Sequence, residues 1–187
     1  DVWIHTLAVL AEVPRDPALR WAALLHDLGK PEVKSVDERG LIHFYGHQKA
    51  SASIARRVLQ RLRFDSASSR KILELVEAHM KLMKPLQATE KHLRRMVGRC
   101  GEPAVRDLIE LRRADMIGAG LLDRSEIESQ IHRLRLTLER AISSSTASAS
   151  GTAPDGYFFS CTIERRVEKN VRAWWAQRAA SIRPSTS

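Results

Sequence analysis

Apolar side chains recur along most of this chain at intervals of three and four residues, the spacing that places them on one face of an α-helix. The segment from Ala18 to Leu28 is almost entirely apolar, which indicates a buried helix. Asp16-Pro17, just before it, is a typical helix start, because Asp caps the first turn and Pro is well tolerated in that turn. The pattern predicts an all-α fold, a helical bundle around one core.

Residues 1–13 also follow the helical pattern, and we expect Trp3, Leu7 and Leu10 to face the core with His5 beside them. Residues 30–46 hold a proline, two glycines and a short alternating run, which predict a loop with a small hairpin. Further helices are predicted at about 47–63 and 66–81, after Thr89, after Glu102-Pro103, and from Arg124 to Ile142.

The composition changes after residue 142. Residues 143–156 are rich in Ser, Ala, Thr and Gly and are predicted to form a flexible linker. Residues 157–187 fit a basic amphipathic tail helix bearing Trp174 and Trp175. We expect these tryptophans to dock on the domain or on a partner subunit, which would give a homo-oligomer. The sequence therefore predicts a helical domain at 1–142, a linker and a tail.

Composition narrows the classes of protein. With 187 residues, of which 43% are hydrophobic, the chain can bury one sizeable core but is short for two. No apolar stretch reaches the roughly 20 residues that span a bilayer, so we expect a cytoplasmic protein without a membrane partner. The net charge of +9 and the pI near 10.1 favour polyanions, so nucleotides or RNA are natural partners. Cys100 and Cys161 lack CxxC spacing and are predicted to be reduced thiols.

Six imidazole and carboxylate side chains are candidate metal ligands: His5, His26, Asp27, His47, His79 and Asp115. Four of them, His5, His26, His79 and Asp115, fall on predicted apolar helix faces. The His26-Asp27 pair alone is weak evidence, because such dipeptides arise by chance. Burying a polar side chain without a partner costs free energy, so several independent accidental placements on apolar faces are much less plausible than one shared site. Because the set lacks thiolates, it favours a catalytic divalent-metal site over a structural zinc site.

The sequence stretches around these residues resemble the HD superfamily of metal-dependent phosphohydrolases. They are HDLGKP at 26–31, IHFYGHQKAS at 42–51, AHMK at 78–81 and RRAD at 112–115. The closer likeness is to the HD domain that stands beside the nucleotidyltransferase head of bacterial CCA-adding enzymes, and it covers roughly residues 1–140. The head has no counterpart in these 187 residues, so we do not expect this chain alone to add CCA.

The resemblance implies a metal site between core helices. In its two-metal form Asp27 bridges the ions and a hydroxide between them is the nucleophile. His5, His26 and Asp115 complete one ion site, and His47 and His79 supply the other. The ligand chemistry admits Mn, Mg, Co, Ni or Fe.

Basic side chains near these motifs are candidates for binding the substrate. Lys30 is expected to neutralise a phosphate oxygen and to aid catalysis. Arg113 either does the same or pairs with a carboxylate. His43 and Lys81 are candidate substrate contacts, although a packed or exposed role is as compatible with their positions.

These expectations together predict a metal-dependent phosphohydrolase, first a phosphodiesterase acting on a 2′,3′-cyclic nucleotide or another phosphodiester, and next a phosphomonoesterase. One alternative is a tRNA-binding or RNA-binding HD module without turnover, which the positive charge favours. A further alternative is a diiron oxygenase, because a minority of the superfamily uses the same ligands for iron.

Overall fold

The computed structural model describes residues 2–146. Its α-helices are α1 (Val2–Glu12), α2 (Pro17–Leu25), α3 (His47–Arg61), α4 (Ser66–Ala78), α5 (Glu90–Cys100), α6 (Glu102–Ala119) and α7 (Arg124–Thr146). Two short 3-10 helices, His79–Leu82 and Pro85–Gln87, join α4 to α5. Strands β1 (Ser35–Val36) and β2 (Ile42–His43) form an antiparallel hairpin between α2 and α3. The all-α prediction and the predicted hairpin are both confirmed.

Side-chain caps fix where several helices begin. The Asp16 carboxylate accepts a hydrogen bond from the backbone N–H of Leu19, 2.8 Å away, and Pro17 occupies the first turn of α2. The Thr89 hydroxyl accepts one from the backbone N–H of His92 at the start of α5. Both caps were predicted from sequence, because these side chains satisfy N–H groups that a helix leaves without backbone partners.

Helices α2 and α6 lie at the centre of the bundle. Helix α2 packs against α1, α3, α4 and α6, and α6 also contacts α1, α4, α5 and α7. Leu19, Ala22, Ala23 and Leu25 of α2 are buried, as its apolar sequence predicted. The ends of these two central helices carry His26, Asp27 and Asp115, so the packing brings the candidate ligands to one place.

Helix α2 is shorter than predicted. It ends at Leu25, and His26 is its C-cap, whereas the apolar run suggested a helix as far as Leu28. Beyond this point the backbone hydrogen bonds join residues three apart, in place of the four of an α-helix: Leu28 N–H donates to Leu25 O, and Lys30 N–H donates to Asp27 O. Apolar content alone does not reveal this change of winding. The consequence is that Asp27 lies in a turn beyond the helix end.

The predicted core stripe of α1 was wrong for Trp3 and Leu7, although Leu10 packs against the core as predicted. Trp3 is 55% exposed and Leu7 is 45% exposed, while His5, Thr6 and Val9 are buried. Helix α1 packs closely on α6, where an added Cβ at Gly118 would lie 2.8 Å from Val9 Cγ2. This contact and the position of His5 opposite α6 determine the rotation of α1. The bulk of Trp3 and Leu7 is therefore a poor guide to which face of α1 is buried.

The last described helix is longer than predicted. Helix α7 continues past Ile142 to Thr146, so the linker does not begin at 143. The hydroxyls of Ser143 and Ser144 donate to the carbonyls of Glu139 and Arg140, which allows these serines to remain helical. The rest of the predicted linker and the predicted tail helix with Cys161, Trp174 and Trp175 lie outside the described residues.

Among residues 2–146, no helix combines the length and apolar character that crossing a membrane requires.

Gly29 allows the turn after α2 to approach α3 closely. Its N–H donates to the Ser51 hydroxyl, 2.9 Å away. A Cβ built on Gly29 would lie 2.4 Å from the Ser51 nitrogen, 2.6 Å from the Ala50 Cβ and 2.6 Å from the His47 carbonyl oxygen. These atoms belong to the backbone or to a Cβ, so none of them can rotate aside. Only glycine fits between the turn and the start of α3.

We predict that Gly29→Ala lowers the free energy of unfolding by about 1–3 kcal/mol through overpacking. Urea denaturation would measure the change. The matched control is Gly98→Ala in α5, where an added Cβ meets nothing within 4 Å. There the substitution should raise stability by about 0.5–1 kcal/mol, because alanine favours a helix over glycine. Equal effects at the two positions would contradict the packing argument.

Candidate metal centre

Six imidazole and carboxylate side chains converge from five separate segments of the chain. His5 comes from α1, His26 and Asp27 from the turn after α2, His47 from the first residue of α3, His79 from the end of α4, and Asp115 from α6. The four histidines and Asp27 are buried. Their distances divide the six into two trios, His5/His26/Asp115 and Asp27/His47/His79, and within each trio the ligand atoms lie within 4.8 Å of one another.

In the first trio, the carboxylate of Asp115 faces two imidazoles. Its Oδ1 lies 3.1 Å from His5 Nε2 and 4.0 Å from His26 Nε2. Residues 5 and 26 are far from residue 115 in sequence, so packing of α1 and α2 against α6 creates this arrangement.

In the second trio, His47 and His79 face each other across Asp27. Their Nε2 atoms are 3.1 Å apart. Asp27 Oδ1 lies 3.5 Å from His47 Nε2 and 4.0 Å from His79 Nε2.

The Asp27 carboxylate stands between the two trios. Its Oδ1 faces His47 and His79, while its Oδ2 lies 3.3 Å from His26 Nε2 and 3.6 Å from His5 Nε2. One oxygen is therefore directed to each trio. This geometry suits a carboxylate shared by two cations.

Backbone carbonyls fix the tautomers of three histidines. The Nδ1–H of His26 donates to Ala23 O at 2.7 Å, and that of His79 donates to Val76 O at 2.7 Å. The Nδ1–H of His47 donates to Phe44 O at 2.9 Å. A carbonyl only accepts, so in the neutral ring Nδ1 carries the proton and Nε2 presents a lone pair.

These tautomers make the His47–His79 contact informative. Burial is the largest cause that lowers the pKa of each ring. Together with the neighbouring His26 and His47, burial lowers the pKa of His79 from 6.5 to about 3, so both rings are neutral near pH 7. Two Nε2 lone pairs then face each other at 3.1 Å with no proton between them. This contact is repulsive, and a cation accepting both lone pairs would relieve it. The trios are clusters that could hold a metal.

The carboxylates are held as anions. Burial would raise the pKa of Asp27, but the neighbouring His26 and Lys30 outweigh it and lower that pKa well below 3.8. Burial would also raise the pKa of Asp115, but His5 and Arg112 lower it. Burial lowers the pKa of His26, but Asp27 and Asp115 reverse that effect and raise it above 6.5. Protons and metal ions therefore compete for His26.

Lys30, which was predicted to neutralise a phosphate oxygen, lies beside the Asp27 carboxylate. Its Nζ is 2.5 Å from Asp27 Oδ2 and 5.9 Å from the centre of the Phe44 ring, and the side chain is buried. Phe44 also provides the carbonyl that orients His47. Phe44, the residue after the hairpin, thus lies near the Lys30 ammonium group and hydrogen-bonds the candidate ligand His47.

Arg113 was a candidate for binding phosphate, and the structure shows its other predicted role, pairing with carboxylates. Its Nε donates to Glu128 Oε1 at 2.8 Å and its Nη1 donates to Glu12 O at 3.2 Å. The arginine at the site is Arg112, which donates from Nη1 to Asp115 Oδ2 at 2.5 Å. The sequence did contain a signal, because a residue three positions before Asp115 shares its helix face and a residue two before does not.

Neither His43 nor Lys81 contacts the two trios through a described hydrogen bond or ion pair. His43 is buried in the hairpin, where its Nε2 is 2.9 Å from Asp37 Oδ2 and its ring stacks on Tyr45. Lys81 is exposed in the 3-10 helix after His79. Their predicted contacts with substrate stay predictions.

Comparison with known proteins identifies the fold around these trios. The model of the HD domain family matches residues 2–136, which include all six side chains. The chain is 33% identical to the A-adding tRNA nucleotidyltransferase of Deinococcus radiodurans, over 76% of this chain and 33% of that protein. It is 35% identical to the CC-adding tRNA nucleotidyltransferase of Thermus thermophilus, over 67% of this chain and 30% of that protein. The chain thus spans about a third of the length of these curated relatives.

We predict that, in metal-free protein, His79 stays neutral at pH 5, because its folded pKa is about 3. Below pH 6.5 the unfolded chain binds a proton that the folded protein does not bind. The His79 contribution to stability therefore falls with falling pH, by on the order of 2 kcal/mol between pH 6.5 and 5. His79→Gln should remove that part of the pH slope in urea denaturation, whereas His132→Gln, an exposed change on α7, should not. An unchanged slope in His79→Gln would contradict the assignment.

Proposed function

This chain belongs to the HD domain family, and from that premise we propose that it is a metal-dependent phosphoester hydrolase, specifically a phosphodiesterase. The observation that carries the proposal is the contact of His47 Nε2 with His79 Nε2 at 3.1 Å, where fixed tautomers direct two lone pairs at one point. Such a pair is unfavourable without a cation. Oriented imidazoles backed by carbonyl acceptors are typical of metal ligands.

We assign one divalent ion to each trio. His5, His26 and Asp115 would hold the first, His47 and His79 would hold the second, and Asp27 would be shared. Nitrogen and oxygen ligands without thiolate suit Mn, Mg, Co, Ni or Fe. When bound, such a pair lowers the pKa of water to give a nucleophile and offsets the charge of the phosphoryl oxygens.

The protein's own residues supply orientation and charge. Asp27 directs one oxygen to each trio, and its negative charge is balanced on one side by Lys30. With ions taking up the Asp27 charge, the Lys30 ammonium would be released to bind a phosphoryl oxygen of the substrate. Phe44 packs near that ammonium and limits its access to water.

The proposed substrate is a nucleotide phosphodiester, such as a 2′,3′-cyclic nucleotide. The relatives are named as tRNA nucleotidyltransferases, and the basic chain favours anionic nucleotides over neutral substrates. Phosphomonoesters are the next class to test.

We predict that protein stripped with EDTA hydrolyses bis-p-nitrophenyl phosphate only after Mn, Co, Ni, Mg or Fe(II) is added. Asp27→Asn should lower kcat/KM by more than about 100-fold, because changing even an outer partner of a metal ligand typically costs 10–100-fold. The control is Asp107→Asn, which removes a carboxylate of α6 that pairs with Lys71 instead. Its activity should match wild type. Inactivity of the wild type with every metal would overturn the proposal.

A second candidate function, RNA binding, is favoured by the surface of α3. This helix carries Lys49, Arg56, Arg57 and Arg61 and no acidic residue, and all four side chains are exposed. Such a face attracts phosphates through release of counterions. In that role the domain would bind RNA without catalysing a reaction on it.

We predict for RNA binding that Arg56→Gln combined with Arg61→Gln weakens tRNA binding. The slope of log K against log salt should become shallower by about 0.7–0.9 for each phosphate that the variant no longer neutralises. Arg106→Gln is the matched control, since Arg106 already pairs with Glu102 and Glu139. Asp27→Asn should leave RNA binding intact. Binding that is unaffected by the double change would contradict a role for α3.

A further inference from the structure

Arg112 links the two trios, although it belongs to neither. Its Nη1 donates to Asp115 Oδ2 at 2.5 Å, on the side of the carboxylate opposite the oxygen that faces His5 and His26. Its Nη2 donates to the Met83 carbonyl at 2.9 Å. Met83 directly follows the 3-10 helix that begins with His79. One guanidinium therefore holds a ligand of the first trio and the segment that carries a ligand of the second.

The position of Arg112 is costly unless those contacts are made. Its side chain is only 12% exposed, and a guanidinium withdrawn from water requires charged or polar partners. The planar group offers donors in a fixed fork, so it can bind a carboxylate and a carbonyl at once. Its Nη1 also lies 3.4 Å from the Met83 sulfur, which packs the methionine side chain against the same group.

We propose that Arg112 is a positioning residue that sets the orientation of the Asp115 carboxylate and the placement of the His79 segment for metal binding. Without it, Asp115 could rotate away from His5 and His26, and the segment 79–83 would lose its hydrogen bond from Arg112 to the Met83 carbonyl. This inference rests on the proposed function, because it concerns the same ions. It adds a residue outside the six ligands that determines how tightly they bind.

The neighbouring arginine provides a matched control. Arg113 has the same side chain on the same helix and has a similar number of polar partners, but these are Glu12 and Glu128. A variant at Arg113 therefore measures what losing an arginine ion pair of α6 does to folding. A variant at Arg112 measures that effect together with any effect on the site.

The experiment is calorimetric titration of the full metal-free chain with MnCl2, with thermal unfolding of each variant recorded in parallel. Arg112→Met should weaken Mn²⁺ binding by about 10–100-fold, the usual effect of losing an outer partner of a metal ligand. Arg112→Lys should recover part of the affinity, because lysine restores the charge but cannot contact Asp115 and Met83 together. Arg113→Met should bind Mn²⁺ as wild type does, even where its melting temperature falls.

A double-mutant cycle separates positioning from a general loss of structure. If Arg112 acts through Asp115, then Arg112→Met should weaken binding much less in an Asp115→Asn background than in wild type. Additive effects would overturn the inference, as would wild-type affinity in Arg112→Met. Failure of the wild type itself to bind Mn²⁺ would overturn the proposed function and this inference with it, so the two failures are distinguishable.

Discussion

The carboxylate of Asp27 is the group on which the rest of the site depends. Its side chain is 2% exposed, and an anion so deeply buried is stable only because cations and hydrogen-bonding groups surround it. Lys30 supplies one full positive charge at Oδ2, and His26 lies against the same oxygen. Oδ1 instead faces His47 and His79, whose rings are neutral near pH 7. The positive charge near Asp27 is therefore concentrated at Oδ2. A cation would stabilise the carboxylate most on the Oδ1 side, which faces the second trio.

The helical bundle is arranged to bring five segments to that carboxylate. Helix α1 turns His5 inward and leaves Trp3 and Leu7 exposed. The helix therefore buries a polar candidate ligand in place of two large apolar side chains. Gly29 lets the start of α3 approach the turn, which places His47 beside Asp27. Stability and site geometry thus depend on the same contacts. The rotation of α1 and the turn after α2, which depart from simple apolar patterning, both position ligands.

Much of the fold was predictable because it follows from local rules. The Asp16 and Thr89 caps and the apolar character of α2 depend on neighbouring residues alone, and each was found where the sequence indicated. The rotation of α1 was not predictable in this way, because the close contact of Val9 with Gly118 joins residues distant in sequence. The end of α2 was misplaced because periodicity does not distinguish an α-helix from the tighter turns that follow Leu25.

The candidate site shows the same division. The six imidazole and carboxylate residues were identified from their type, their positions along the chain and the resemblance to the HD superfamily, which also implied their division between two ion sites. The distances within each trio depend on the packing of α1, α3 and α4 around α2 and α6. Arg112 was missed in favour of Arg113, although helical geometry places the former on the Asp115 face. Whether an arginine reaches the site depends on the partners that tertiary packing brings near it. Arg112 is bonded to Met83, whereas Arg113 is bonded to Glu128.

The proposed sharing of Asp27 by two metal ions is tested most directly by electron paramagnetic resonance of the protein titrated with Mn²⁺. Two ions that share a carboxylate are about 3.5–4 Å apart, close enough for their spins to couple. We expect a coupled multiline spectrum to appear as the second equivalent of Mn²⁺ binds. An isolated six-line spectrum at every loading, or no bound manganese, would contradict the shared carboxylate.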